Sequence, residues 1–140
     1  MRTKLFSLLI VVSCLTYSEP RYGEEAVVYY FGWNYTTRSP MNYVNIKRDG
    51  VYKTKLEIKN YHDVASLKRL IADLDTVEAY GHSSDVDARL VIEFYYNKEI
   101  SYMVIADRFY LYELGSEGKY KKKMKLMDKI KDFFHLSFDL

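Results

Sequence analysis

The 140-residue chain contains a single cysteine, so it can form no intramolecular disulfide and no cysteine-rich zinc site. Its two prolines and six glycines are too few for a disordered or collagen-like chain. The glycines are also scattered, with no GxGxxG or Walker pattern to cradle a phosphate. No nucleophile-elbow pattern occurs. No apolar run approaches the roughly 20 residues that a membrane-spanning helix needs. What the chain does have is 49% hydrophobic residues and 15 tyrosines. That composition and length suit one folded domain, since domains usually run to about 100–200 residues.

Residues 1–18 read as an export signal. Arg2 and Lys4 precede an apolar stretch, Leu5 to Val12, interrupted only by Ser7, and small or polar residues follow. A signal core is about 7–15 residues long, which fits this stretch. Two cleavage sites compete. Val11-Val12-Ser13-Cys14 resembles a bacterial lipobox, which would make Cys14 a lipidated anchor. The other site lies after Ser18, with Thr16 and Ser18 as the small residues. Either way residues 19–140 form a thiol-free α+β domain suited to an oxidising compartment. Removing Arg2 and Lys4 from the 21 basic residues leaves 19 against 19 acidic ones, so net charge gives no reason to expect a nucleic-acid partner. Asn34-Tyr35-Thr36 matches a glycosylation sequon, and in a bacterial chain it is a chance match.

Beyond the leader the pattern predicts βββα–βββα. Ala26–Trp33 is a β-type run. Tyr43–Lys47 and Val51–Lys59 flank Arg48-Asp49-Gly50 and predict a hairpin with Gly50 left-handed. Tyr52, Thr54, Leu56 and Ile58 alternate with Lys53, Lys55, Glu57 and Lys59, as in a half-buried antiparallel strand. Val64, Leu67, Leu70, Ile71 and Leu74 recur at helical spacing and predict a helix over 61–77, capped by Asn60 or Asp63. Glu78–Asp87 reads as a polar connection. Arg89–Tyr96 and Ile100–Asp107 predict a second hairpin around Asn97-Lys98-Glu99, aligning Phe94 with Tyr102, Ile92 with Val104 and Arg89 with Asp107. Phe109–Leu114 is a further strand after a tight turn, and Lys119–His135 reads as a helix. The fold class expected is α+β, an antiparallel curved sheet with two packed helices.

Leu90, Ile92, Phe94, Tyr102, Val104 and Leu111 form one apolar face of the second hairpin region. The opposite face carries Val91, Tyr95, Met103, Ile105, Tyr110 and Tyr112 among charged residues. A helix or the N-terminal strand could cover it. If it is open it offers a partner-binding surface of Tyr95, Met103, Tyr110 and Tyr112, because tyrosine combines a large rigid area with a polar tip. Lysines crowd the segment 119–131, where they suit a solvated helix face, an acidic partner or anionic lipid headgroups.

No catalytic, cofactor or metal residue is assigned. His82-Ser83-Ser84-Asp85, with Asp87, is the one suggestive cluster. A Ser–His–Asp triad needs groups converging from separately positioned elements, which neighbours in one loop seldom supply. The loop also lacks an EF-hand pattern and a second histidine in register for a metal. Glu93 and Glu113 could form a carboxylate pair only if neighbouring strands bring them together. The expectation is therefore an exported, non-enzymatic protein-binding module of the cell envelope, with an immunity or inhibitor protein as one concrete form. It would be periplasmic, secreted or held at the outer membrane through lipidated Cys14, and its partner another envelope or secreted protein. The alternatives are a small secreted hydrolase or metal-binding protein using the 80–87 loop, and a membrane-surface structural protein with a lysine-rich helix.

Overall fold

A computed structural model describes residues 18–115, 118–125 and 128–138. The architecture is α+β. Seven strands form one antiparallel sheet: β1 (Glu25–Tyr30), β2 (Thr54–Ile58), β3 (Thr76–His82), β4 (Leu90–Tyr96), β5 (Glu99–Ala106), β6 (Tyr110–Leu114) and β7 (Lys119–Lys125). Among the described residues three α-helices accompany them: α1 (Tyr43–Ile46), α2 (Tyr61–Ala72) and α3 (Asp128–Phe138). Across the sheet the strands run β2-β1-β4-β5-β6-β7-β3, so among the described residues β2 and β3 are the two edges.

Local chemistry explains several elements directly. The Asn60 side chain accepts the His62 N–H and caps α2, satisfying one of the donors that a helix start leaves open. Asn97 and Lys98 both take positive φ, 52° and 67°, and make a two-residue turn between β4 and β5. The ladder then shifts by one residue. Tyr95 opposes Ile100 while Phe94 opposes Tyr102, which leaves Ser101 as the extra residue of a bulge. The expected pairs Phe94–Tyr102 and Ile92–Val104 are present, with the bulge taking up the residue that the shorter turn releases. Asp107 Oδ1 accepts the N–H groups of Phe109 and Tyr110, each at 2.7 Å, and closes the tight turn into β6.

The sheet is covered on both faces. On one, Val28, Leu90, Ile92, Phe94, Val104 and Leu111 pack against Val64, Leu67 and Ile71 of α2 and Ile130 and Phe134 of α3. Burying a side chain of this size contributes about 1.5–3 kcal/mol, so this layer dominates the apolar stabilisation. On the other, Val91, Met103, Ile105, Tyr112 and Leu114 lie beneath Ile46, Val86 and Ala88, with Phe31, Met41 and Tyr43 packed alongside.

The observed order, βαβαβββββα, differs from βββα–βββα at three places. Tyr43–Ile46 is a helical turn, not a strand. Asn42 caps it by accepting the Val44 N–H, and its one fully buried apolar residue, Ile46, seals the second core. Gly50 is left-handed as expected (φ +83°), but β2 pairs with β1, Val28 opposite Leu56, and not with 43–47. The helix over 61–77 ends at Ala72, and Thr76–His82, expected as helix end and connection, is the edge strand β3. Lys119–Lys125, expected as the start of a helix, is strand β7 between β6 and β3. Lysine's mild helix preference amounts to tenths of a kcal/mol per residue, and two flanking backbone ladders outweigh it.

Candidate functional site

The four candidate partner-binding residues do lie on one sheet face, opposite α2 and α3, but the cover formed by the 31–46 segment with Val86 and Ala88 divides them. Met103 and Tyr112 are 8% and 7% exposed and belong to the second core. Tyr110 is exposed, and Tyr95 is half-buried at the far end of the face, by the β4–β5 turn. The Tyr95 hydroxyl donates to Glu93 Oε2 at 2.7 Å, and Lys47 Nζ donates to Glu93 Oε1 at 2.6 Å. Burial first, and this bond to a carboxylate second, push the Tyr95 pKa well above its ordinary value. Tyr112 is shifted the same way by burial and by its 2.8 Å bond to Asp107 Oδ2. Both phenols are therefore fixed as neutral donors.

The aromatic surface continues into segments whose sequence pattern predicts a helix and a connection. Tyr110 and Tyr112 lie at a ring separation of 6.5 Å, and Tyr112 and Tyr120 at 4.8 Å. The ring of Tyr120 then crosses the backbone of β3 at Gly81, where a Cβ would stand 2.6 Å from Tyr120 Cζ. Tyr80, Gly81 and Tyr120 line a shallow depression of about 320 Å³, flanked by His82 and Lys119. Tyr80 is 74% exposed and Val77 65%. Phe109, at the β5–β6 turn beside Tyr110, is 67% exposed. The β6–β7–β3 part of the sheet thus carries an aromatic strip, half buried at its centre and open at both ends. Sequence reasoning missed Tyr80, Tyr120 and Val77. The signal was Thr76-Val77 opening a short run toward Tyr80, which has strand character and no helical periodicity.

The charged residues occupy separate places. The basic run is divided between β7 (Lys119–Lys125) and α3, and Lys119, Lys122 and Lys125 are exposed. Arg89 pairs with Asp87, not with Asp107, whose carboxylate serves its own turn and Tyr112. Asp87 also accepts the Met41 N–H at 2.7 Å and so holds down the segment that covers the second core. His82 ends β3, and Ser83–Asp85 form a 3-10 turn in which Ser83 is buried. Among the described residues no group of three or more His, Cys, Asp or Glu side chains is placed to hold a metal ion. Glu93 and Glu113 sit on opposite faces of the sheet: Glu93 opposes Met103 of the second core, whereas Glu113 opposes Val104 of the first. They therefore cannot flank one glycosidic bond.

Cys14 and the rest of residues 1–17 lie outside the described residues. No described helix is long and apolar enough to cross a membrane. The chain matches no known family model, no curated protein and no solved structure.

Proposed function

We propose that the chain is an exported, non-enzymatic binding module of the cell envelope whose partner is another protein, bound on the β6–β7–β3 part of the sheet. The observation that carries this reading is the aromatic strip from Tyr110 through Tyr112 and Tyr120 to Tyr80. A buried centre with exposed ends suits a binding surface. Tyr112 and Tyr120 are held by packing, so they lose little freedom on association, while Tyr80, Tyr110 and Phe109 offer area still to be covered. Tyrosine is enriched in the anchors of protein interfaces. Exposed Lys119 and Lys125 of β7 and exposed Asp75, Glu78 and Asp85 in or beside β3 give the strip a charged surround of both signs.

An immunity or inhibitor protein, covering the active site of a toxin or hydrolase, is the concrete form of this proposal. The basic, apolar and small-residue zones of residues 1–18 support export, and Cys14 offers a lipid anchor.

The test is affinity capture from cell-envelope extract with the tagged chain and with its Tyr80→Ser/Tyr110→Ser variant. Both tyrosines are exposed, so the variant keeps its circular dichroism and melting profile. A single protein retained at 1:1 by the wild type, and held at least about tenfold more weakly by the variant, is the expected result. Equal retention by both would remove the strip from the binding surface.

A further inference from the structure

Among the described residues three glutamates are buried: Glu24, Glu93 and Glu113, at 1%, 2% and 9% exposed. Two are well met. Glu24 receives bonds from Lys68, Ser101 and the Arg21 N–H, and Glu93 from Lys47 at 2.6 Å and Tyr95 at 2.7 Å. Glu113 is not. Among the described residues its one hydrogen bond is a long one, 3.4 Å from the Tyr102 hydroxyl to Oε2. Lys122 Nζ stands 3.6 Å from the same oxygen, beyond hydrogen-bond reach, and Oε1 receives no bond. Glu113 lines a cavity of about 240 Å³ between the end of α2 and the β5–β6–β7–β3 part of the sheet. Ile71, Tyr102 and Met124 make its apolar wall, and it opens where Ala72, Thr76 and Lys122 are exposed.

We propose that this cavity is a second binding site, for a compact organic ammonium whose nitrogen sits against Glu113 Oε1 and whose apolar body packs on Ile71, Tyr102 and Met124. It lies on the α2 side of the sheet and stands apart from the protein-binding reading above. A carboxylate held out of water is costly until a donor or a cation meets it. Apolar walls with one convergent polar group are the usual make-up of a small-molecule site. An engineered cavity of about 150 Å³ admits benzene. At about 240 Å³ this one has room for a ring carrying an aminomethyl group.

Charge selects a cation. Among the described side chains, Glu113 and Lys122 are the charged groups of the wall. At the mouth, exposed Glu78 opposes Lys122 across the ladder, and exposed Asp73 and Asp75 lie in the turn from Ala72 to Thr76. The cations beside them are Arg69, in the last turn of α2, and Lys125, next to Met124. On α3, Asp128 and Asp132 offset Lys129 and Lys131, with His135 in the last turn. Four carboxylates thus stand against three cations around the cavity. Lys122 has Glu113 opposite it on one side and Glu78 on the other, and one ammonium does not satisfy both. α2 also ends at Ala72 on the cavity wall, and the partial negative charge of a helix C-terminus adds to the preference.

The experiment uses the full chain, isotope-labelled for NMR, and three probes of similar size: benzylamine, neutral benzyl alcohol and anionic benzoate. Expected with benzylamine are shifts of the Ala72, Thr76 and Glu113 amides. It should bind at least about tenfold more tightly than benzyl alcohol, as a bond to a charged group does, and benzoate should not bind. Glu113→Gln keeps the shape of the side chain. It should weaken benzylamine at least about tenfold and leave benzyl alcohol unchanged. Thr76→Phe, at an exposed position on the mouth, should keep the melting profile and block both. Equal binding of benzylamine and benzyl alcohol would overturn the proposal, because Lys122 would then already satisfy Glu113. Equal benzylamine binding by wild type and Glu113→Gln would overturn it too, as would silence of the three amides with every probe. The order of the probes on the wild type decides the matter even if Glu113→Gln does not fold.

Discussion

Glu24 and Lys68, 44 residues apart in the chain, meet as an ion pair whose two side chains are fully buried. Lys68 Nζ lies 2.7 Å and 2.9 Å from the two carboxylate oxygens. Ser101 Oγ donates to Glu24 Oε1 at 2.9 Å, and the Arg21 N–H donates to Oε2 at 3.2 Å. The pair thus ties the start of β1 to the middle of α2 and to the bulge of β5. Each charge alone would cost several kcal/mol to bury. Together, with their other hydrogen bonds made, the cost is largely offset.

Lys68→Met, which leaves the Glu24 carboxylate buried and without its cation, should therefore lower stability by about 3–5 kcal/mol. The double variant Lys68→Met/Glu24→Gln removes both charges and should recover a substantial part. Urea denaturation of the two variants checks this. A double variant as unstable as the single one would mean that the loss came from packing and not from the stranded charge.

Arg89 presents the opposite case. Its guanidinium is buried and donates to Asp87 through Nη2, but among the described residues Nε and Nη1 meet no hydrogen-bond acceptor. It lies 5.5 Å from the Phe31 ring centroid. Arg89→Met keeps most of the volume and relieves the unmet donors, so its stability should fall within about 1 kcal/mol of wild type or above it. Arg89→Ala leaves a cavity and should cost about 2–5 kcal/mol. Thermal unfolding of the two variants separates charge from volume.

Gly81→Ala sets a methyl group against the Tyr120 ring, 2.6 Å from Cζ and 3.0 Å from Cε1. The ring must swing away, which should cost about 1–3 kcal/mol and break the Tyr112–Tyr120 contact. The reading is a loss of stability together with a changed near-ultraviolet circular dichroism spectrum. An unchanged spectrum would mean that Tyr120 does not cross Gly81 in solution.

The shifted tyrosines predict an alkaline weakening. In the folded chain Tyr95 and Tyr112 hold their protons above the ordinary value of 10.0, mainly through burial. The unfolded chain begins to lose those protons at about pH 10, so the stabilisation is intact below that pH. It declines as pH rises from there toward the folded values. Denaturant midpoints measured from pH 8 to 11 should fall most steeply at the alkaline end, and Tyr95→Phe/Tyr112→Phe should flatten the fall. A double variant with the same slope would assign the weakening to other groups.

Much of the first core was legible in the sequence. Leu90–Phe94 and Tyr102–Ala106 are apolar at nearly every position, and the polar turn between them brings Phe94 opposite Tyr102 and Ile92 opposite Val104. The spacing of Val64, Leu67 and Ile71, with Asn60 ahead of them, identifies α2 and its start. The candidate face was legible as a face: Met103, Tyr110 and Tyr112 do share it. What covers it was not, because the cover joins the remote residues 31–46 to Val86 and Ala88. The burial of Lys68 is not legible locally, since nothing near it in the chain announces a glutamate 44 positions earlier.

Residue order alone was enough for the α+β class, the β4–β5 hairpin and the amphipathic α2, because each is decided by periodicities within a few turns or one ladder. The assembled fold settled the rest. Tyr120 and Met124 are spaced as on one helix face, yet in β7 a register shift sends Tyr120 to the second core and Met124 to the first. Short segments such as Tyr43–Ile46, Thr76–His82 and Lys119–Lys125 have local preferences worth tenths of a kcal/mol per residue. Their conformation follows the partner strand or core that reaches them, and for β3 and β7 that contact also creates the aromatic strip.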